Sequence, residues 1–374
     1  MLLESIAIYC RAWAGAFSRR GRRIAPLGIR RLALLLVAFP LFLALQLLHW
    51  LGLLLDELLY PAYRSQRIDQ PVFIIGVPRS GTTYLHREMA RDGGLCTAST
   101  WELLLAPSLC QRAVGRFLAA VDRRLGAPLG RLLGRAGGEA GTALADVHPV
   151  ALDAAEEDYL ALLPAAGCFF AHLAFPESDS LARLGALGTL PAARRQRLLD
   201  HYHRLLQRQV YHCGGKQLLS KNAAFASWAP FLLARYPDAL LVLCIREPVQ
   251  ALSSQLSSLE PARRLLAIDP GGQWLRERFE LLYRDWYGQL AALADAAAER
   301  VVVVEQTQLR QDSERELARI FARLQRQPMR ERSARALPRG PAAVHSPARH
   351  GLAESSDPVM AGHYLQLRQL ADQP

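Results

Sequence analysis

Residues 71–91 read PVFIIGVPRSGTTYLHREMAR. Val72–Val77 is a short, unbroken apolar run, the pattern of a strand buried on both faces of a parallel sheet. Gly76, Pro78, Arg79, Ser80 and Gly81 then form a turn of small and chain-breaking residues, and Thr82 and Thr83 open a segment, YLHREMAR, of helix-forming composition. Strand, glycine loop and helix in that order gather backbone N–H groups and a helix N-terminus around one anionic group. Thr82 and Thr83 add hydroxyl donors.

Gly76 and Gly81 keep the glycine spacing of the Walker A loop, but Thr82 stands where that loop carries its lysine. A nucleoside-triphosphate reading thereby loses its main contact to the β- and γ-phosphates. The cation has moved into the loop as Arg79, always charged and able to make forked hydrogen bonds to an oxyanion. The P-R-S-G-T-T string resembles the 5′-phosphosulfate loop of sulfotransferases that use 3′-phosphoadenosine 5′-phosphosulfate, the bacterial-type enzymes in particular. The resemblance implies an α/β fold, a P-loop-like parallel sheet with flanking helices. It also implies transfer of a sulfuryl group to an acceptor hydroxyl or amine, without a metal, the donor being held by Arg79, Ser80, Gly81, Thr82 and Thr83.

A second signature lies in LLSKNAAFASWAPFLLARYPDALLVLCIREPVQALSSQLSS. Ala223–Arg235 reads as a helix, Gln217–Ser220 and Leu240–Ile245 as strands. Arg246 leaves the C-terminal end of the second strand, where open α/β sheets bind ligands, and Pro248 starts a helix. Ser254 lies eight residues after Arg246, on roughly the same helical face. In the resembled family an arginine and a serine at this spacing hold the donor's 3′-phosphate, and many members carry a lysine at the position of Lys221, so that Arg79 and Lys221 are expected to steady the charge on the leaving bisphosphate. The tail SPARHGLAESSDPV resembles the family's closing segment, in which a basic loop covers the cofactor, so Arg349 and His350 are candidates for a second 3′-phosphate contact.

The acceptor needs a base. Glu102, in TASTWELLLAPS and 23 residues beyond Arg79, matches the place where related enzymes carry a glutamate, while an N-terminal helix carboxylate is the plainer reading. His148, in DVHPVALDAAEEDYLAL ahead of Glu156, Glu157 and Asp158, is the other candidate. Residues 111–215 read as a mainly helical insert on the acceptor side, with an arginine-rich helix over 181–210. Val301–Val304 reads as a further strand and Arg310–Arg335 as a charged helix.

The chain has 374 residues, 51% of them hydrophobic, and a net charge of +11, enough for a large core and suited to an anionic ligand or a membrane surface. Aromatic and basic residues do not interleave, which argues against nucleic acid. Six scattered cysteines with no C-x-x-C pair argue against a metal centre or a dense disulfide framework. Residues 1–31 carry seven arginines against Glu4 alone, and Leu32–Leu55 then runs without a formal charge, long enough to cross a bilayer. Residues 1–69 thus read as a basic, hydrophobic, membrane-associating segment and 70–374 as the sulfotransferase domain. The positive-inside rule puts the arginines in the cytoplasm, so a full span exports the domain. A helix kinked near Pro40 and confined to one leaflet keeps it cytoplasmic, with its donor; the other reading is a helix buried in the protein core. A lipid or glycan acceptor suits that position. The alternatives are a P-loop phosphotransferase and a membrane-bound nucleotide-binding protein without catalysis.

Overall fold

The computed structural model describes residues 1–127, 154–326, 347–350 (the Arg349 side chain apart), 352 and 357–372. Strands β1 (Val72–Gly76), β2 (Leu95–Cys96), β3 (Gln217–Asn222), β4 (Leu240–Ile245) and β5 (Val301–Glu305) form one sheet in the order β2-β3-β1-β4-β5. Every pairing is parallel. The helices that matter below are α1 (Leu2–Ala16), α2 (Phe39–Leu59), α3 (Thr82–Ala90), α4 (Leu109–Arg124), α5 (Ala192–His212), α6 (Pro248–Leu265), α7 (Gln273–Ala296), α8 (Ser313–Arg323) and α9 (Pro358–Ala371).

Side chains alternate along a strand, so the central strands feed two cores. Phe73, Ile75, Leu241, Leu243 and Ile245 belong to the larger, Val72, Ile74, Leu240, Val242 and Cys244 to the smaller. Burial on both faces is why β1 and β4 read as continuous apolar runs. Helices α3 and α8 close the smaller core with Leu85, Met89, Leu317, Ile320 and Phe321. Helices α5, α7 and α9 close the larger one. The chain leaves β1 toward β2 on one side of the sheet and leaves β4 toward β5 on the other. Since β1 and β4 are neighbours, their C-terminal ends flank the crevice where such sheets bind ligands.

Three element readings change. Ala223–Arg235 is a 3-10 turn (Ala223–Trp228) followed by a helix (Ala229–Arg235). Pro230 lacks an N–H to continue the earlier turn, and Trp228 stacks on Phe225 with ring centroids 4.3 Å apart. The helix expected over 181–210 runs from Ala192 to His212, because Gly185, Gly188 and Pro191 break the stretch before it. Beyond β5, Gln306–Gln311 and α8 are separate helices. Asp312 parts them and caps the second by accepting from Arg315 N at 2.9 Å.

Residues 1–69 share the larger core through Ile8, Tyr9, Ala12, Leu35, Phe39 and Leu53. Tyr9 donates to the Leu163 carbonyl at 2.6 Å. Ahead of Pro40 the backbone widens into a π-helical turn, Leu34–Ala38, since proline offers no N–H to the ladder. One disulfide, Cys96–Cys213, ties β2 to the end of α5 with Cα atoms 6.0 Å apart. Its partners are 117 residues apart, so no local spacing announced it.

Candidate functional site

The loop after β1 is held by its own constraints. A Cβ on Gly76 would lie 2.0 Å from the Cys244 carbonyl oxygen, so glycine is what lets β1 run against β4 where the loop begins. Arg79 sits at φ +69° and Gly81 at +90°. A left-handed arginine stores backbone strain, which persists only where surrounding contacts fix it. Those contacts are present. Arg79 Nε donates to Ser254 Oγ at 3.1 Å, and Arg246 Nη1 donates to the Arg79 carbonyl at 3.2 Å. Tyr283 on α7 donates its hydroxyl to the Pro78 carbonyl at 2.9 Å, and Tyr287, one turn on, donates to the Arg246 carbonyl. Ser80 Oγ is turned back onto the Val77 carbonyl at 2.7 Å and is buried, so its side chain braces the loop.

Arg79 and Arg246 therefore meet at the ends of β1 and β4. Burial lowers the pKa of both, and for Arg246 the adjacent Arg79 charge adds to the effect. Among the described residues no acidic side chain opposes either guanidinium. Two half-buried cations that destabilise each other are relieved by an anion between them. They line a cavity of about 420 Å³ together with Gly81, Thr82, Thr83, Ser254 and Arg310, and Tyr159, Phe169, Phe170, Leu173, Leu259 and Phe279 give it an apolar wall, with Glu157, Gln255, Ser258 and Gln306 as further polar groups.

A second cluster adjoins the helix start. Lys221, at the end of β3, is 1% exposed. Its Nζ lies 3.2 Å from Thr83 Oγ1, 2.8 Å from Glu156 Oε1 and 3.0 Å from Glu157 Oε1. Burial opposes the Lys221 charge, but Glu157 and Glu156 more than offset this and raise its pKa. Burial pushes the Glu157 carboxyl above the ordinary carboxylate range, with Lys221 restraining the rise. The acids are fixed from behind. Asp158 accepts from Tyr202 at 3.0 Å and from the Asn222 amide, and Asn222 Oδ1 accepts from Tyr159 N at 2.9 Å. Thus β3 holds the Glu156–Tyr159 segment, and Glu157 lines the cavity beside Thr83.

Glu102 lies elsewhere. It is the third residue of the short helix Thr100–Leu104 and completes a capping box, accepting from Ser99 N at 2.8 Å and Ser99 Oγ at 2.9 Å. Arg112 and His212 approach its other oxygen at 3.7 and 3.5 Å, and it does not line the cavity. His148 lies outside the described residues. Arg349 falls in the Pro347–His350 turn, its side chain outside the described residues. The neighbouring His350 bonds Ser257 Oγ on α6 at 2.8 Å. Among the described residues no group of three or more His, Cys, Asp or Glu is placed to hold a metal.

A sequence model of the sulfotransferase family matches residues 71–327. The chain belongs to the sulfotransferase family. The match takes in the turns at Arg79 and Arg246 and the Lys221–Glu157 cluster. Among solved structures, this sulfotransferase resembles one from Mycobacterium tuberculosis with a TM-score of 0.60 at 20% identity, over 87% of this chain and 83% of that one. A sulfotransferase from Mycobacterium avium aligns at TM-score 0.54 and 17% identity, over 71% of this chain and 66% of that one. At such identities the likeness speaks for the fold. No curated protein sequence matches. A sulfonate donor and an acceptor follow from the family, and the cavity brings Arg79 and Arg246 together with apolar side chains.

Sequence reasoning missed Glu157, Tyr283 and Tyr287. Glu157 had a signal, since Glu156, Glu157 and Asp158 are three successive acids in an alanine- and leucine-rich stretch, but they read as company for His148. The tyrosines had none, because a tyrosine four residues from another on an amphipathic helix reads as core.

Proposed function

We propose that this sulfotransferase moves a sulfuryl group from 3′-phosphoadenosine 5′-phosphosulfate to the hydroxyl, or amine, of its acceptor. The observation that carries the reading is the pair Arg79 and Arg246, half-buried and without an acidic partner among the described residues, at the helix start that carries Thr82 and Thr83. Arg79, Ser80, Gly81, Thr82 and Thr83, through side chains and loop amides, take the phosphosulfate. Arg246 and Ser254 take the 3′-phosphate, and Arg349 closes on it from the tail.

The base in this reading is Glu157. Its carboxylate removes the acceptor proton as the acceptor oxygen bonds to sulfur. The bond from sulfur to the bridging phosphate oxygen breaks, and adenosine 3′,5′-bisphosphate leaves with the electron pair. Lys221, bonded to Thr83 and Glu157 at once, steadies the charge that grows on the bridging oxygen. Fixed cations and backbone donors do the work that Mg²⁺ does in phosphoryl transfer. The enzyme associates with a membrane through residues 1–69, its catalytic domain on the cytoplasmic side.

The test is transfer of radiolabel from sulfate-labelled donor to a cell extract with all divalent metal chelated. Label transferred under those conditions supports the reading. Transfer that instead requires Mg²⁺ and uses ATP supports the phosphotransferase alternative.

A further inference from the structure

The apolar segment Ile29–Leu59 spans 31 residues with mean hydropathy 2.3 in its most apolar window, about 46 Å of helix at 1.5 Å per residue. Its two long faces differ. Leu35, Phe39, Gln46, His49, Leu53 and Asp56 are buried against the rest of the chain. Bonds run along that face from end to end. Trp13 Nε1 donates to the Leu35 carbonyl at 2.9 Å, and Trp50 Nε1 to the Pro164 carbonyl at 2.8 Å. Farther on, Arg208 Nε donates to Asp56 at 2.8 Å. The opposite face, Val37, Leu41, Leu48, Leu51, Leu55 and Leu58, is exposed, to 67% at Leu41 and 76% at Leu58. With the exposed Ala44 between Leu41 and Leu48, their spacing by three and four makes one continuous stripe.

A span through the bilayer cannot satisfy both faces. The buried one is fixed to the domain along its length, so crossing would carry Pro164 and the Arg208–Asp56 pair into hydrocarbon. A helix lying flat in one leaflet satisfies both. Arg19, Arg22 and Arg23, exposed just ahead of the segment, and Arg30, exposed at its start, suit anionic head groups.

The same segment is tied to the cavity. Arg31, 1% exposed, donates from Nη2 to the Ala174 carbonyl at 2.8 Å and from Nη1 to the Leu266 carbonyl at 3.2 Å. Ala174 ends the short helix Phe170–Ala174, whose Phe170 and Leu173 line the cavity, and Leu266 caps α6, whose Leu259 also lines it. Phe39 packs edge-on against Phe175 at 5.4 Å. One buried arginine thus joins the base of the apolar segment to two pieces of the apolar wall, and Phe170 is 44% exposed at its edge.

We propose that the leucine face rests in one leaflet of an anionic membrane, and that the acceptor is an amphiphile of that leaflet whose hydroxyl-bearing head enters past Phe170. This rests on the sulfuryl-transfer reading and keeps its balance: the hydroxyl proton goes to Glu157 and the bisphosphate leaves.

The test uses the full chain, sulfate-labelled donor, and vesicles of phosphatidylcholine, with or without phosphatidylglycerol, carrying bacterial membrane lipid extract. The wild type should float with the phosphatidylglycerol vesicles and place label in the organic-soluble fraction. The triple variant Leu41→Asp, Leu48→Asp, Leu58→Asp should lose both by about tenfold or more, while binding adenosine 3′,5′-bisphosphate as wild type does. Three results overturn the inference: wild type left at the bottom of the gradient, a variant that floats equally well, or label confined to water-soluble products. A vesicle-free dimer that the triple variant dissociates also overturns it, assigning the face to a second copy. Failure of the wild type to bind the bisphosphate strikes the donor reading instead.

Discussion

The Lys221 ammonium lies 3.0 Å from Glu157 Oε1, both beside the Thr83 hydroxyl at the start of α3. A buried cation so placed favours the ionised form of the half-buried carboxylate and sits where a leaving oxygen would develop charge. Glu157→Gln preserves shape but cannot take a proton. Turnover should fall ~10²–10⁴-fold with bisphosphate binding intact. Wild-type turnover in this variant would move the base role away from Glu157, with His148 next in line.

Activity should also report the Glu157 environment. Burial holds this carboxyl above the ordinary glutamate value, and a base works only when deprotonated. Turnover is therefore expected to fall as pH drops through a value above the usual carboxylate range. Lys221→Gln removes the charge that restrains that rise, so the acid limb should move to higher pH. A pH–rate profile for each protein checks both, and a limb that moves to lower pH in Lys221→Gln contradicts the pairing.

Glu102 carries a different expectation. Its capping box and its approach to buried Arg112 make it a stabilising group. Glu102→Ala should cost about 1–3 kcal/mol of folding stability and leave turnover per folded molecule unchanged. Chemical denaturation alongside turnover at low temperature separates the two. Lost turnover with unchanged stability would restore Glu102 as a base.

Arg246 should show itself through ligand choice. Arg246→Ala should weaken adenosine 3′,5′-bisphosphate by about 2–3 kcal/mol, the scale of a charged hydrogen bond. Adenosine 5′-phosphosulfate, which lacks the 3′-phosphate, should be affected far less. Equal losses would mean that Arg246 acts by holding the Arg79 carbonyl and not by touching the 3′-phosphate.

The parts legible in the sequence are those where local chemistry and tertiary role coincide. β1, β4 and the turns at Arg79 and Arg246 were readable because strands buried on both faces are apolar throughout and a glycine loop announces its backbone. The Glu102 position was legible and its role was not, since S-x-x-E spells a capping box as readily as it matches a family base. The capping box was written in Ser99-Thr100-Trp101-Glu102 itself. Glu157 reaches the cavity only because Asp158 docks on Asn222, 64 residues away, a contact no local pattern encodes. On the polar face of α2, Gln46 and His49 were visible as breaks in the apolar run Leu32–Leu55 and Asp56 as the charge that ends it. That it faces protein and not lipid depends on Arg208 and Leu104, far along the chain.

The most direct measurement of the central claim is calorimetric titration of the full chain with adenosine 3′,5′-bisphosphate and with ATP, each with and without Mg²⁺. Thr82 in place of the Walker lysine, and Arg79 beside Arg246, predict tight bisphosphate binding that is indifferent to Mg²⁺, and much weaker binding of ATP. Tight ATP binding that appears only with Mg²⁺, with the bisphosphate failing to compete, would contradict the account.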